Sequence, residues 1–152
     1  MPDRDAIAVL KEDHATVKDL LKQLESSTSR AARSRQKLIE KIDKEVTIHS
    51  QIEEEIFYPA FREAVEKKDD EQLFFEAREE HHVVDLVLPE ARQLDPASPE
   101  FEAKGTVLKE LIEHHIREEE KEMFPKARKV MSREELVDLG RRLEERKRAL
   151  KK

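Results

Sequence analysis

The sequence has no cysteine and no tryptophan, only one tyrosine and only two glycines. Without cysteine there are no disulfides, thiolate zinc sites, iron–sulfur clusters or cysteine nucleophiles. Two glycines and 5% aromatic residues argue against a β-sandwich or barrel, which needs frequent turn glycines and β-branched runs. Long apolar runs are missing too. No stretch approaches ~18 apolar residues, and the opening MPDRDAIAV has no apolar segment behind a basic start. Neither a signal peptide nor a transmembrane span is expected, and the cytoplasm is the expected compartment. What the chain does have is charge, at 43% of its 152 residues. Its apolar residues recur at helical spacing, which points to surface-charged helices rather than disorder. The length suits one domain with a real core. Net charge is −6, yet the last twelve residues, RRLEERKRALKK, hold seven basic and two acidic side chains. The acidic body that remains is a poor nucleic-acid surface, so no nucleic-acid partner is expected. The basic tail reads as a solvated helix end or as a contact for an acidic protein partner.

The first apolar stripe runs Ile7, Leu10, His14, Val17, Leu21, Leu24, in alternating steps of three and four. SSTSRAARS reads as a turn, with a second helix starting near Arg33. Its stripe is Ile42, Val46, His49, Glu53, Ile56, Ala60, and Pro59 should bend or end it. Asp69 and Asp70 look like N-caps of a third helix carrying Phe74, Ala77, His81, Val84 and Leu88. Pro89 should bend or close that helix. DPASPE is a loop, with Ser98 as N-cap and Pro99 at the first helical position. A fourth helix carries Leu108, Ile112, His115, Glu119 and Met123 before Pro125. Ser132 and Glu135 form a capping-box pattern that opens a last, charged helix.

The chain also repeats itself. His49, Glu53, Glu54 and Pro59 recur as His115, Glu119, Glu120 and Pro125, at an offset of 66. Asp13-His14 recurs as Glu80-His81, at an offset of 67. Two helical hairpins related by duplication would pack as an all-α, antiparallel up-down four-helix bundle. Residues 1–131 should form this bundle, and 132–152 a charged helix packed on it or extending from it.

His14, His49, His81 and His115 each fall on the core stripe of a different helix, and Glu53 and Glu119 lie one turn beyond a histidine. Six such groups are costly to bury without compensation. A divalent or trivalent cation supplies it, and nitrogen and oxygen donors suit iron, manganese or zinc. Glutamates from opposite halves that can each bridge favour two metals over one. Two histidines per metal, with an oxo or hydroxo bridge, would leave coordination positions for a small molecule.

The order His, His-x-x-x-Glu, His, His-x-x-x-Glu resembles the hemerythrin-like, or HHE cation-binding, family. The resemblance covers roughly residues 10–130. It differs from the Glu-x-x-His order of ferritin-like carboxylate bundles. It implies a metal set of His14, His49, Glu53, His81, His115 and Glu119 around two non-heme iron ions, in a monomer or weak dimer. O2, hydrogen peroxide or another diatomic molecule would be the ligand. Oxygen-carrying members have a second histidine four residues after the third-helix histidine, and here that residue is Asp85. The departure favours oxygen or peroxide redox chemistry, such as peroxide decomposition, over reversible O2 carriage. The alternative is a non-catalytic iron or oxygen sensor acting through a protein partner, with the basic tail as its contact.

Four neighbouring residues are ambiguous. His82 and His114 read as flanking the site without binding metal. Asp85 reads first as a hydrogen-bond acceptor to an imidazole, with a metal ligand or a charge at the edge of the core as alternatives. Tyr58 lies about 140° around a regular α-helix from Glu53, so a packed ring with its hydroxyl at an edge is expected, with a phenolate ligand or a redox-active group beside the ligands as the lesser alternative. Phe57, Phe61, Phe74, Phe75, Phe101 and Phe124 read as core.

Overall fold

The computed structural model describes residues 4–152. Among these residues all regular structure is helical. Helix α1 spans Ala6–Ser26 and α2 spans Ala32–Ile52. A π-helical turn, Glu53–Phe57, carries α2 without a break into α3, Tyr58–Ala64. Helix α4 is Lys68–Gln93 and α5 is Pro99–Glu118. A second π turn, Glu119–Met123, leads into α6, Phe124–Val130, and α7 is Arg133–Lys151. The α1–α2 and α4–α5 hairpins pack through α2 against α4 and α1 against α5, which closes a four-helix bundle. Helix α7 lies against α1 and α2. No helix among the described residues is long and apolar enough to cross a membrane.

Several boundaries differ from the sequence reading. The first turn is only Ser27–Ala31, because Ala32 and Arg33 already belong to α2. Lys67, not an aspartate, is the N-cap of α4. Asp69 and Asp70 sit inside its first turn, where negative charge complements the helix dipole. Pro89 neither ends nor closes α4. It lies on the exposed face, where water can serve the carbonyl that loses its partner. Ser98 and Ser132 cap as expected, accepting from the amides of Phe101 and Glu135. Phe75 is 37% exposed, unlike the other five phenylalanines, which are buried. Arg35, buried in α2, donates to the Ser27 and Pro96 carbonyls and to Glu102, tying the loops of the two hairpins together.

The apolar interior has two parts. One gathers Ile7, Leu10, Ile52, Phe57, Tyr58, Phe61, Phe124, Leu139 and Leu143 with their neighbours. The other gathers Val17, Leu21, Ile42, Val46, Val84, Leu88, Leu108 and Ile112 with theirs. Along α1 the boundary falls between Leu10 and Val17, and along α4 between Ala77 and Val84. The residues at that boundary include His14 and His81, so a polar layer divides the core.

The charged last helix is held tightly. Arg146 pairs with Glu55, Lys147 with Asp13, and Lys151 with Glu45. Gly140 lets its backbone meet α1 closely, since a Cβ there would collide with the Arg4 carbonyl oxygen and the Asp5–Ala6 peptide. Gly140→Ala should push α7 off the start of α1. The expected loss is about 1–3 kcal/mol, the usual cost of overpacking, read as a lower urea midpoint. An unchanged midpoint would show that the close approach carries no stability.

Candidate metal centre

All six side chains picked out by the sequence pattern converge in the dividing layer, and each is buried. Glu53 is 0% exposed and Glu119 is 1% exposed. The carboxylates connect the halves. Glu53 Oε1 lies 3.1 Å from His49 Nε2 on its own helix and 3.2 Å from His81 Nε2 in the other hairpin. Glu119 mirrors it, with Oε1 3.3 Å from His115 Nε2 and 3.0 Å from His14 Nε2. One compact group joins His14, His49, Glu53 and Glu119, and a second joins Glu53, His81 and His115.

These atoms face common points more than they face one another. Among the described residues, His49 Nε2 stands 3.1 Å from a carboxylate oxygen yet makes no hydrogen bond, and Glu53 Oε2 is likewise buried without a partner. The Nε2 atoms of His81 and His115 oppose each other at 3.1 Å. Two donors each about 2.1 Å from one ion, at right angles, stand about 3.0 Å apart. The spacings therefore suit cations between the side chains, and buried orphaned polar atoms are otherwise costly.

Behind the histidines stands a ring of acids. Asp13 Oδ2 lies 2.9 Å from His49 Nδ1, and Glu80 Oε1 lies 2.7 Å from His115 Nδ1, each within one hairpin. Glu120 Oε2 lies 2.7 Å from His14 Nδ1 and Glu54 Oε2 3.6 Å from His81 Nδ1, each across the hairpins. The three within hydrogen-bond reach, behind His14, His49 and His115, fix the imidazole tautomer and turn Nε2 into the site. The sequence carried the signal as the duplicated pairs Asp13-His14 with Glu80-His81 and Glu53-Glu54 with Glu119-Glu120. Asp85 does not take this part. It is exposed, and Glu54 occupies the position behind His81. His82 and His114 are exposed, and His114 pairs with Glu80 at 3.3 Å.

Tyr58 is the principal correction. Its hydroxyl sits inside the site, 2.8 Å from Glu119 Oε2, 3.2 Å from Glu53 Oε1, 3.1 Å from His81 Nε2 and 3.3 Å from His115 Nε2. The π turn is the reason. The Tyr58 amide bonds to the Glu53 carbonyl, so five residues complete one turn and Tyr58 falls over Glu53. In regular α-helix the same residue would have pointed aside. The second π turn does the same for Phe124, which stacks on His14 with ring centroids 5.7 Å apart.

Charges follow from this geometry. Burial alone would lower the His49 pKa, but the Glu53 charge and the bond to Asp13 outweigh it and raise it to about 10. His81 and His115 are also raised against the effect of burial, by Glu53 and Glu119 respectively. Burial opposes ionisation of Glu119, yet His115 and the surrounding hydrogen bonds hold it well below the carboxylate range. Burial, then the charges of Glu119 and Glu53, push the Tyr58 phenol well above its ordinary value, so it stays protonated.

A helical bundle with a polar layer of four imidazoles and two cross-linking carboxylates defines a metal-binding bundle as a class. The Hemerythrin HHE cation binding domain model matches residues 5–127. The chain belongs to that family. A crystal structure of a hemerythrin HHE cation binding domain-containing protein from Mycobacterium kansasii is 28% identical and superposes with a TM-score of 0.83. That match covers 97% of this chain and 87% of the other. A protein of Nostoc sp. named DNA nickase is 28% identical over 127 residues, 84% of this chain. The match takes in 34% of that relative, so the chain spans about a third of its length.

Proposed function

We propose that His14, His49, Glu53, His81, His115 and Glu119 hold two non-heme iron ions, and that the pair reduces O2 or decomposes hydrogen peroxide. The observation that carries the redox reading is the setting of the six groups. A small apolar cavity lined by Val17, Val46, Val84, Ile112 and Ile116 opens onto all four imidazoles. From the other part of the core, Tyr58 presents a buried phenol to the same groups. The apolar lining of the cavity suits a small uncharged molecule. Two irons exchanging one electron each would let one peroxide be oxidised to O2 and a second be reduced to water, the first releasing the two protons that the second consumes.

The protein's own part is to hold cations and protons. Glu53 and Glu119 span the two histidine pairs, and Glu120, Asp13 and Glu80 behind His14, His49 and His115 keep Nε2 directed inward. Tyr58 keeps a proton at its phenol oxygen, 2.8 Å from Glu119. Iron-loaded protein should therefore evolve O2 from peroxide. Tyr58→Phe should keep its full iron complement and slow that reaction on the order of 10²-fold, the usual scale for a positioned proton donor. Iron-loaded protein that leaves peroxide and O2 untouched would end the redox reading.

The sensor alternative has less support. Three of the basic side chains of α7 that it would use are already paired with acids of the bundle, Arg146 with Glu55, Lys147 with Asp13 and Lys151 with Glu45. The nickase name belongs to a much longer protein, and a plasmid-nicking assay with iron-loaded protein tests whether any of that activity extends to this chain.

A further inference from the structure

We infer that the two metal positions are unequal, and that Lys147 on the C-terminal helix is the positioning residue that makes the His14/His49 position the retained one. The inference rests on the two-metal reading above and concerns how firmly each position holds its ion.

The duplication makes the comparison direct. At the first position, His49 Nδ1 bonds Asp13 Oδ2 at 2.9 Å, and the other oxygen of Asp13 is taken by the Lys147 ammonium. Asp13 is 2% exposed, and the Lys147 side chain is 18% exposed. This arrangement forms an unbroken line from α7 through Asp13 to a nitrogen-donor side chain of the site. His14, the second histidine of that position, is backed by Glu120 at 2.7 Å and covered by the ring of Phe124.

The counterpart of Asp13 in the second half is Glu80. It backs His115, but among the described residues its other oxygen meets only the exposed His114, at 3.3 Å. His81 is less secure still. Glu54 stands 3.6 Å from its Nδ1, beyond a hydrogen bond, and that buried nitrogen has no partner among the described residues. Where the first position has Phe124 over His14, the second has Tyr58, whose hydroxyl lies among the donor atoms. The first position thus has four side chains in one compact group with both imidazoles fixed from behind. The second has a group of three, with one imidazole fixed. A cation there is the exchangeable one, and it is the one beside the phenol.

Lys147 acts at a distance from any metal. By neutralising Asp13 in part and holding its carboxylate still, it orients His49. Carboxylates and their partners behind a ligating histidine commonly change metal affinity 10–100-fold. Helix α7 lies beyond the residues matched by the family model, so this support is added to the bundle from outside it.

The test is iron release. Protein loaded anaerobically with two equivalents of ferrous iron is mixed with excess ferrozine, and the coloured complex is followed. Two phases of equal amplitude are expected, separated by about tenfold or more in rate. Lys147→Gln should speed the slow phase alone, and Lys147→Arg should restore it. Asp13→Asn should speed the same phase, and Lys147→Gln added to it should have little further effect. Glu80→Gln should speed the fast phase. Arg146→Gln, which cuts a neighbouring α7 ion pair with Glu55 but does not touch Asp13, should change neither. A single phase in the unaltered protein overturns the inference, as does equal acceleration of both phases by Lys147→Gln, or no effect of it. A chain that takes up no iron at all would instead refute the two-metal reading.

Discussion

Glu53→Gln should strip the protein of both metals. The amide that replaces the carboxylate has the same shape but carries no charge with which to bridge two cations, and Glu53 belongs to both compact groups. Each group loses a shared oxygen donor at once. Iron content should fall from two per chain to well below one. Thermal stability should fall to that of chelator-treated protein. A ligand present at a thousandfold excess over its Kd stabilises the folded state by about 4 kcal/mol, and that contribution disappears. The neighbouring Glu55 is the control. It faces outward and pairs with Arg146, so Glu55→Gln should keep both irons. Two irons per chain in Glu53→Gln would show that the carboxylate merely satisfies buried histidines.

The second large effect is a reversal of pH dependence on metal removal. In the stripped protein His49 titrates at about 10, above its ordinary 6.5, and His81 and His115 are raised as well. A raised histidine contributes fully to stability below about 6.5, and its contribution fades as pH climbs through the folded value. Glu119 acts in the opposite sense. Its pKa is depressed, so its contribution is present above the ordinary 4.5 and is lost as pH falls through the lower folded value. Stripped protein should therefore be most stable between about pH 5 and 6.5 and should melt at steadily lower temperature toward pH 9. A cation demands neutral imidazoles, so binding expels those protons and strengthens with pH. The difference in Tm between loaded and stripped protein should widen from about pH 6 to about pH 9. A difference that narrows over this range would mean that the imidazoles are not the metal donors.

The convergence of the six side chains was legible in the sequence because a regular helix places i and i+4 on one face, and because duplication displays each half as a check on the other. The stripes predicted the burial of His14, His49, His81 and His115 for the same reason, but beyond Glu53 the stripe through Ile56 and Ala60 gives way to Phe57 and Tyr58. What escaped was whatever departed from α-helical phase. Pro59 and Pro125 signalled a disturbance, but a proline announces that the ladder is interrupted, not that the turn before it widens. Tyr58 was therefore assigned to the helix edge and is in fact at the centre of the site. Asp85 failed in another way. It shares a stripe with His81, yet its short side chain stays at the surface, and the longer Glu54 from the other hairpin stands behind the imidazole. Contacts between hairpins, such as Glu120 with His14, and between α7 and α1, such as Lys147 with Asp13, depend on packing that periodicity along one helix does not encode.

The central claim is a pair of iron ions shared between the hairpins through Glu53 and Glu119. Iron analysis joined to electron paramagnetic resonance of the oxidised protein tests it most directly. Two irons per chain with no resonance from isolated ferric ions, as expected for spin-coupled neighbours, is the predicted result. One iron per chain, a full signal from uncoupled ferric ions, or zinc in place of iron would contradict it.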